Sequence, residues 1–292
     1  MTNSQETPPA PGRKLFFGLF IFPLLIAVGM AVILCSVVLL TSEQETPESL
    51  VASIKSGSPG KRWQKAFELS NELNTKKESI RSEGLMQEII HILNDTDHYD
   101  PKTRGYMAIA LSHFHSPEAI QALRANLKDP SEDVQLYSAW AIGVLGAKEA
   151  APEILPFLSE ESAAMRKMAA YVLGALEYKE SAPALRKLLE DPVADVRWNA
   201  ALSLARLGDD SGEDVLIRMM RREEFTAEGG MTEEDIEKAM MNAAKGLALI
   251  LKPESIKILE IVSHTDKNLR VRQAAMDAIQ YQNDRQLGKI KS

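Results

Sequence analysis

Catalysis and metal binding draw on a few side-chain types, and this chain offers them sparingly. Its five histidines are His91, His98, His113, His115 and His264. Only His113 and His115 stand close together, and residues two apart do not share a helix face, so they make a poor metal pair. The ligand spacings of a zinc or iron centre are missing. The single cysteine, Cys35, leaves no intrachain disulfide and no cysteine-based metal site. There is no G-x-S-x-G, no glycine-rich phosphate loop and no H-E-x-x-H. Acid pairs occur at Glu160–Glu161, Glu223–Glu224 and Glu233–Glu234. Each falls at a helix start or in a loop, where acids favour the helix N-terminus. No catalytic, cofactor-binding or metal-binding residue is assigned, and the chain reads as non-catalytic.

Residues suited to binding are easier to find. Tyr106, Tyr137, Met168 and Asn199 recur at a step of 31 residues, and so do Ile109, Trp140, Tyr171 and Leu202. Large apolar residues at helical spacing usually pack, so the Ile109 column reads as inter-repeat core. The Tyr106 column follows an arginine position and tilts outward, which fits a groove as well as a core. Trp198 lies beside it. Aromatic side chains are the types enriched at binding hot spots, so Tyr106, Tyr137, Met168, Trp198 and Asn199 are the candidate protein-binding residues.

These columns exist because the helices that carry them repeat. The stretches from Asp129 to Ala147, Glu160 to Tyr178 and Asp191 to Asp209 share one amphipathic pattern. Val134, Met165 and Val196 keep the 31-residue step, as do Gly143, Gly174 and Ala205. A fixed period near 30 residues marks a solenoid, in which each unit buries its apolar face only by stacking on its neighbours. Seven helix pairs are expected: 47–56 with 59–74, 82–94 with 100–114, 117–128 with 131–145, 149–159 with 162–176, 180–190 with 193–207, 211–222 with 233–251, and 253–263 with 267–282. The step from Arg197 to Arg272 is 75, two periods plus 13. The extra residues fall at 223–235, an acidic stretch that fits a solvated loop as well as a contact element. A second expansion falls around Asn74 to Glu83.

The N-terminal part is of another kind. Residues 1–14 form a polar, proline-rich tail ending in Arg13 and Lys14, and 15–40 contain no charged residue. As a helix that run is roughly 39 Å long, enough to cross the roughly 30 Å hydrocarbon core with tilt or a bend at Pro23. It is too long for a cleaved signal peptide, and no A-x-A-like site follows. Basic residues before the run and Glu43, Glu45 and Glu48 after it place the N-terminus in the cytoplasm and the bulk of the chain outside. The expected order is tail 1–14, transmembrane helix 15–40, linker 41–46, solenoid 47–285 and tail 286–292. A net charge of −7 and a pI near 5.4 argue against a nucleic-acid partner.

The stretch Asp191 to Leu204, Asp-Pro-x-x-x-Val-Arg-x-x-Ala-Ala-x-x-Leu, resembles the HEAT repeats of bacteria first associated with phycobilisome lyases. With substitutions the pattern recurs across roughly residues 47–282. The resemblance implies an all-α solenoid whose second helices line a concave face. It also implies arginines after the valine position that pair with aspartates in a ladder. Arg104, Arg166, Arg197 and Arg272 hold that position, Gln135 departs from it, and Asp195 with Arg197 is the best-preserved pair. The His-Glu dipeptides of HEAT-like di-iron hydroxylases are missing. The whole reads as a membrane-anchored scaffold for a protein partner, with a bilin-lyase-like enzyme as the alternative.

Overall fold

The computed structural model describes residues 21–41, 46–75, 82–228, 230–250 and 252–289. The chain divides into two units, Met1–Thr46 and Pro47–Ser292. The expected tail 1–14, the start of the apolar run and the end of the C-terminal tail lie outside the described residues.

In the first unit, α1 spans Phe22–Thr41. Pro23 is the second residue of this helix. Its described apolar side chains, among them Phe22, Leu24, Leu25, Val28 and Ile33, are exposed. Among the described residues no helix is long and apolar enough to cross a membrane. Side chains of α1 are described only at 22–34 and 36, so that statement covers only part of its length.

The second unit is a stack of helix pairs. They are α2 (Pro47–Ser56) with α3 (Pro59–Thr75), α4 (Glu83–Asn94) with α5 (Pro101–Leu111), and α6 (Pro117–Asn126) with α7 (Glu132–Leu145). Next come α8 (Ala151–Ile154) with α9 (Ala163–Ala175) and α10 (Ala182–Lys187) with α11 (Ala194–Arg206). After α12 (Glu213–Met219) comes α13 (Arg222–Glu228), and then α14 (Glu233–Ala248), the partner of α12. The last pair is α15 (Pro253–Thr265) with α16 (Leu269–Gln286). Local chemistry sets the starts. Ser82, Asp100, Ser116 and Ser162 each accept a hydrogen bond from a first-turn N–H, and Thr232 with Asp235 forms a reciprocal capping box. Two expected helices are broken. Pro152 and Pro156 leave α8 one turn long between 3-10 turns, and Pro183 shortens α10 in the same way.

The second helices of the pairs, α3, α5, α7, α9, α11, α14 and α16, touch one another along the stack, while the first helices meet more loosely. Small residues permit the approach: Ala108, Ala139, Ala170 and Ala201 have no exposed surface. At Gly174 a Cβ would stand 2.2 Å from Ser203 Oγ and 2.8 Å from its Cα. Ser203 donates across the same contact to the Ala170 carbonyl at 2.7 Å. The expected core column is core only in part. Ile109, Trp140 and Leu202 are half-buried, but Tyr171 is exposed and carries Arg206 over its ring at 5.7 Å.

The arginine ladder exists with different pairing. Arg104 and Arg166 each reach an aspartate 25 residues ahead, just before the second helix of the next repeat: Asp129 and Asp191. Arg166 bonds both Asp191 oxygens, at 2.7 and 3.1 Å. Asp195 and Arg197 do not pair. Asp195 accepts from Lys167 at 3.1 Å, and Arg197 donates to the carbonyls of Asp191 and Pro192 at 2.8 and 3.1 Å. Gln135 keeps that carbonyl bond, donating to Asp129 at 2.7 Å. Burial alone would raise the Asp191 carboxyl. The Arg166 guanidinium and the Val193 N–H outweigh it and hold the group below its ordinary value.

The 223–235 stretch is more ordered than a loop. Its first half lies in α13, and its end opens α14. Arg222, at the head of α13, grips both oxygens of Asp266 at 2.8 Å and one of Glu233 at 2.9 Å.

Candidate functional site

The candidate residues all lie on the second-row face, half-buried, and they form two groups. Tyr106 on α5 and Tyr137 on α7 stack, with ring centroids 6.3 Å apart and planes 17° from parallel. Gly105 makes room for this, since a Cβ there would stand 2.6 Å from Tyr137 Cδ2. Burial, then the neighbouring Tyr106 and Asp133, push the Tyr137 hydroxyl above its ordinary pKa, so it stays a neutral donor at physiological pH. Phe67 on α3 extends the row, meeting Tyr106 edge-on at 5.4 Å, and is exposed. It was not among the candidates because the expanded first repeat puts it 39 residues before Tyr106, out of register. Lys102, one turn before Tyr106, lies 3.3 Å above the Trp63 ring. Four aromatic rings and one cation thus line the second row across three repeats.

Trp198 and Asn199 form the second group. The Trp198 ring meets Phe225 of α13 edge-on at 5.3 Å, and Phe225 is buried. Trp198 also borders a cleft of about 380 Å³. Trp198 and Asn199 of α11, Met219 of α12, Met231 and Asp235 beyond α13, and Asn242 of α14 are among its walls. Register alone does not show that the 13-residue insert builds one side of it. Met168 lies between the two groups, packed against the core, and joins neither through a ring contact.

The arrangement can hold apolar and cationic groups by packing, ring faces and carboxylates. Among the described residues no three His, Cys, Asp or Glu side chains group so as to hold a metal ion.

Known proteins place the chain by its fold. The model of the HEAT repeats family matches residues 86–155 and 151–227. The complex of CpcE and CpcF of phycocyanin lyase from Nostoc sp. PCC7120 is similar in structure, with a TM-score of 0.56 and 20% identity over 83% of this chain and 96% of that one. The Escherichia coli protein YibA is similar with a TM-score of 0.50 and 14% identity, over 84% of this chain and 85% of that one. At these identities the likeness speaks for the fold alone. No match is found among curated proteins. The stretch from 86 to 227 thus carries HEAT repeats.

Proposed function

We propose that this protein is a non-catalytic scaffold, anchored to a membrane, that holds a protein partner on its second-row face. The observation that carries the reading is the run of rings Phe67, Tyr106 and Tyr137 along three successive second-row helices. Folding leaves that run partly uncovered, and rigid aromatic surface of this kind anchors protein contacts.

The anchor is α1. Twenty uncharged residues make a helix of roughly 30 Å, the thickness of a hydrocarbon core. A helix apolar all round needs an apolar surrounding, and the described apolar side chains of α1 are exposed. Arg13 and Lys14 set the orientation, with the N-terminus in the cytoplasm and the solenoid outside. Tethering confines the repeats to a layer at the bilayer and raises their effective concentration toward membrane partners. Protease added to intact spheroplasts should then digest the solenoid; full protection would place it in the cytoplasm instead.

A photocrosslinking residue placed at Tyr106, Tyr137 or Met168 of the full chain in native membranes tests the scaffold. The expected result is one shared adduct from all three positions and none from Glu118, an exposed first-row residue. Equal crosslinking from Glu118, or none from the three, overturns the reading. A bilin-lyase activity finds no support in the site's own residues; a covalent coloured adduct on mixing the chain with bilin and an acceptor protein would establish it.

A further inference from the structure

We propose that the cleft between α11 and α14 receives a lysine or arginine side chain of the partner, so that the partner's docking segment is basic. The proposal rests on the scaffold reading above and adds the chemistry of what docks.

Both charged residues that line the cleft are acids, Asp195 and Asp235. Asp195 accepts from Lys167 through Oδ2 alone. Asp235 accepts from the Thr232 hydroxyl and N–H, again through Oδ2 alone, at 2.6 and 3.4 Å. Asn199 donates to the Asp195 carbonyl at 2.7 Å. Among the described residues no donor reaches the second oxygen of either carboxylate or the side-chain oxygens of Asn199 and Asn242. No lysine or arginine lines the cleft. Two cations stand by these acids: Lys167, already bonded to Asp195, and Lys238, which acts on Asp235 and is bonded to Glu234. The bonds from Thr232 hold the Asp235 carboxyl below its ordinary value, so it is ionised at neutral pH. An anionic guest would meet two carboxylates. A cationic guest meets opposite charge instead, and ammonium and guanidinium groups donate to carboxylates.

The apolar walls fit the same guest. Trp198, Leu202, Met219 and Met231 form a surface for an aliphatic stem, along which long basic side chains lie while their charged ends stay polar. An indole face also attracts the cation directly. The volume of about 380 Å³ admits one long side chain. The cleft shares the second-row face with the aromatic row, so one extended segment can engage both.

The test uses the full chain in detergent micelles and a labelled probe, acetyl-Leu-Arg-Leu-Arg-Leu-amide, against the same peptide with citrulline in place of arginine. Citrulline keeps the shape and removes the charge. The arginine peptide should bind at least tenfold more tightly, and Asp195→Asn with Asp235→Asn should erase the difference. Asp277→Asn, which removes an acid outside the cleft, should leave it intact and controls for the net charge of −7. Asparagine at 235 still accepts from Thr232, so the helix cap survives. Should the double variant lose helicity, Asn242→Arg from the exposed face of α14 supplies a second probe and should block the arginine peptide by a similar factor. Equal binding of the two peptides overturns the site, as does a preference that survives both variants. The crosslinks from Tyr106 and Tyr137 report on the scaffold separately. Their absence beside an intact arginine preference overturns the scaffold and keeps the site; their presence beside equal peptide binding overturns the site alone.

Discussion

Arg222 holds Asp266 with two parallel hydrogen bonds of 2.8 Å across 44 residues of chain. Asp266 occupies the position that Asp129 and Asp191 hold in their own repeats. The residue 25 before it, where Arg104 and Arg166 stand relative to their aspartates, is Met241. The insert has brought its own arginine to the unfilled place. The bond that ties neighbouring repeats therefore also fixes α13, and with it Phe225 against Trp198.

Arg222→Ala should be among the costlier substitutions on the surface of this protein. It leaves Asp266, whose side chain is only 5% exposed, without its counter-charge. Breaking a buried pair from one side costs about 3 kcal/mol. Urea unfolding of the full chain followed by circular dichroism should show a loss of that order, and a loss below about 1 kcal/mol would mean that the clamp holds little.

The same pairs set an acid limit. Burial pushes the Asp191 and Asp266 carboxyls up, but the arginine bonds prevail and both sit below their ordinary value. A carboxyl depressed in the folded state stabilises it above the unfolded value, about 3.9. That stability is lost as pH falls through the lower folded value. The melting temperature should be nearly level from pH 7 to pH 5 and drop below about pH 4. Asp266→Asn should be less stable at neutral pH and should flatten the acid drop; an unchanged drop would assign it to other groups.

Gly174→Ala and Gly143→Ala should differ in cost. At Gly174 the added carbon meets Ser203 as close as its Cα, at 2.8 Å, so α9 and α11 must separate. At Gly143 it meets only Val172 methyls, at 3.2 and 3.3 Å. Overpacking costs on the order of 1–3 kcal/mol, and Gly174 should lie at the upper end. Denaturant midpoints of the two variants check the ranking.

The stack of Tyr106 on Tyr137 should be measurable without any partner. A double-mutant cycle with Tyr106→Leu and Tyr137→Leu is expected to give a coupling of about 1 kcal/mol. Independent effects would show that the rings merely lie near one another.

The 31-residue step was enough to set out seven helix pairs and to bring Tyr106 and Tyr137 together, because stacked repeats turn register into adjacency. It failed where register breaks. Phe67 lies behind the expansion at 74–83, and Arg222 and Phe225 belong to an insert with no counterpart in other repeats. Of the apolar run at 15–40 only the part from Ile21 on is described, with α1 at Phe22–Thr41, and its described side chains stop short of the expected span. The Asp195–Arg197 pairing was misread for a different reason. Two residues apart on one helix point to different faces, and the ladder runs between repeats, from each arginine to an acid 25 residues ahead. Trp198 looked like free contact surface in sequence, whereas Phe225 covers one of its sides.

Gln135 has a mechanical consequence. Where the second and third repeats are latched by Arg104 to Asp129, and the fourth and fifth by Arg166 to Asp191, Gln135 bonds within its own turn. The first-row pair of Arg124 with Glu153 bridges this joint, but it is partly exposed and such pairs add little. Ser162 of the fourth repeat also donates to Glu132 of the third, so surface polar contacts tie this joint in place of a buried latch. The joint falls just past Tyr137, so the aromatic row and the Trp198 cleft lie on opposite sides of it, and a guest that grips both must span a joint without the buried latch.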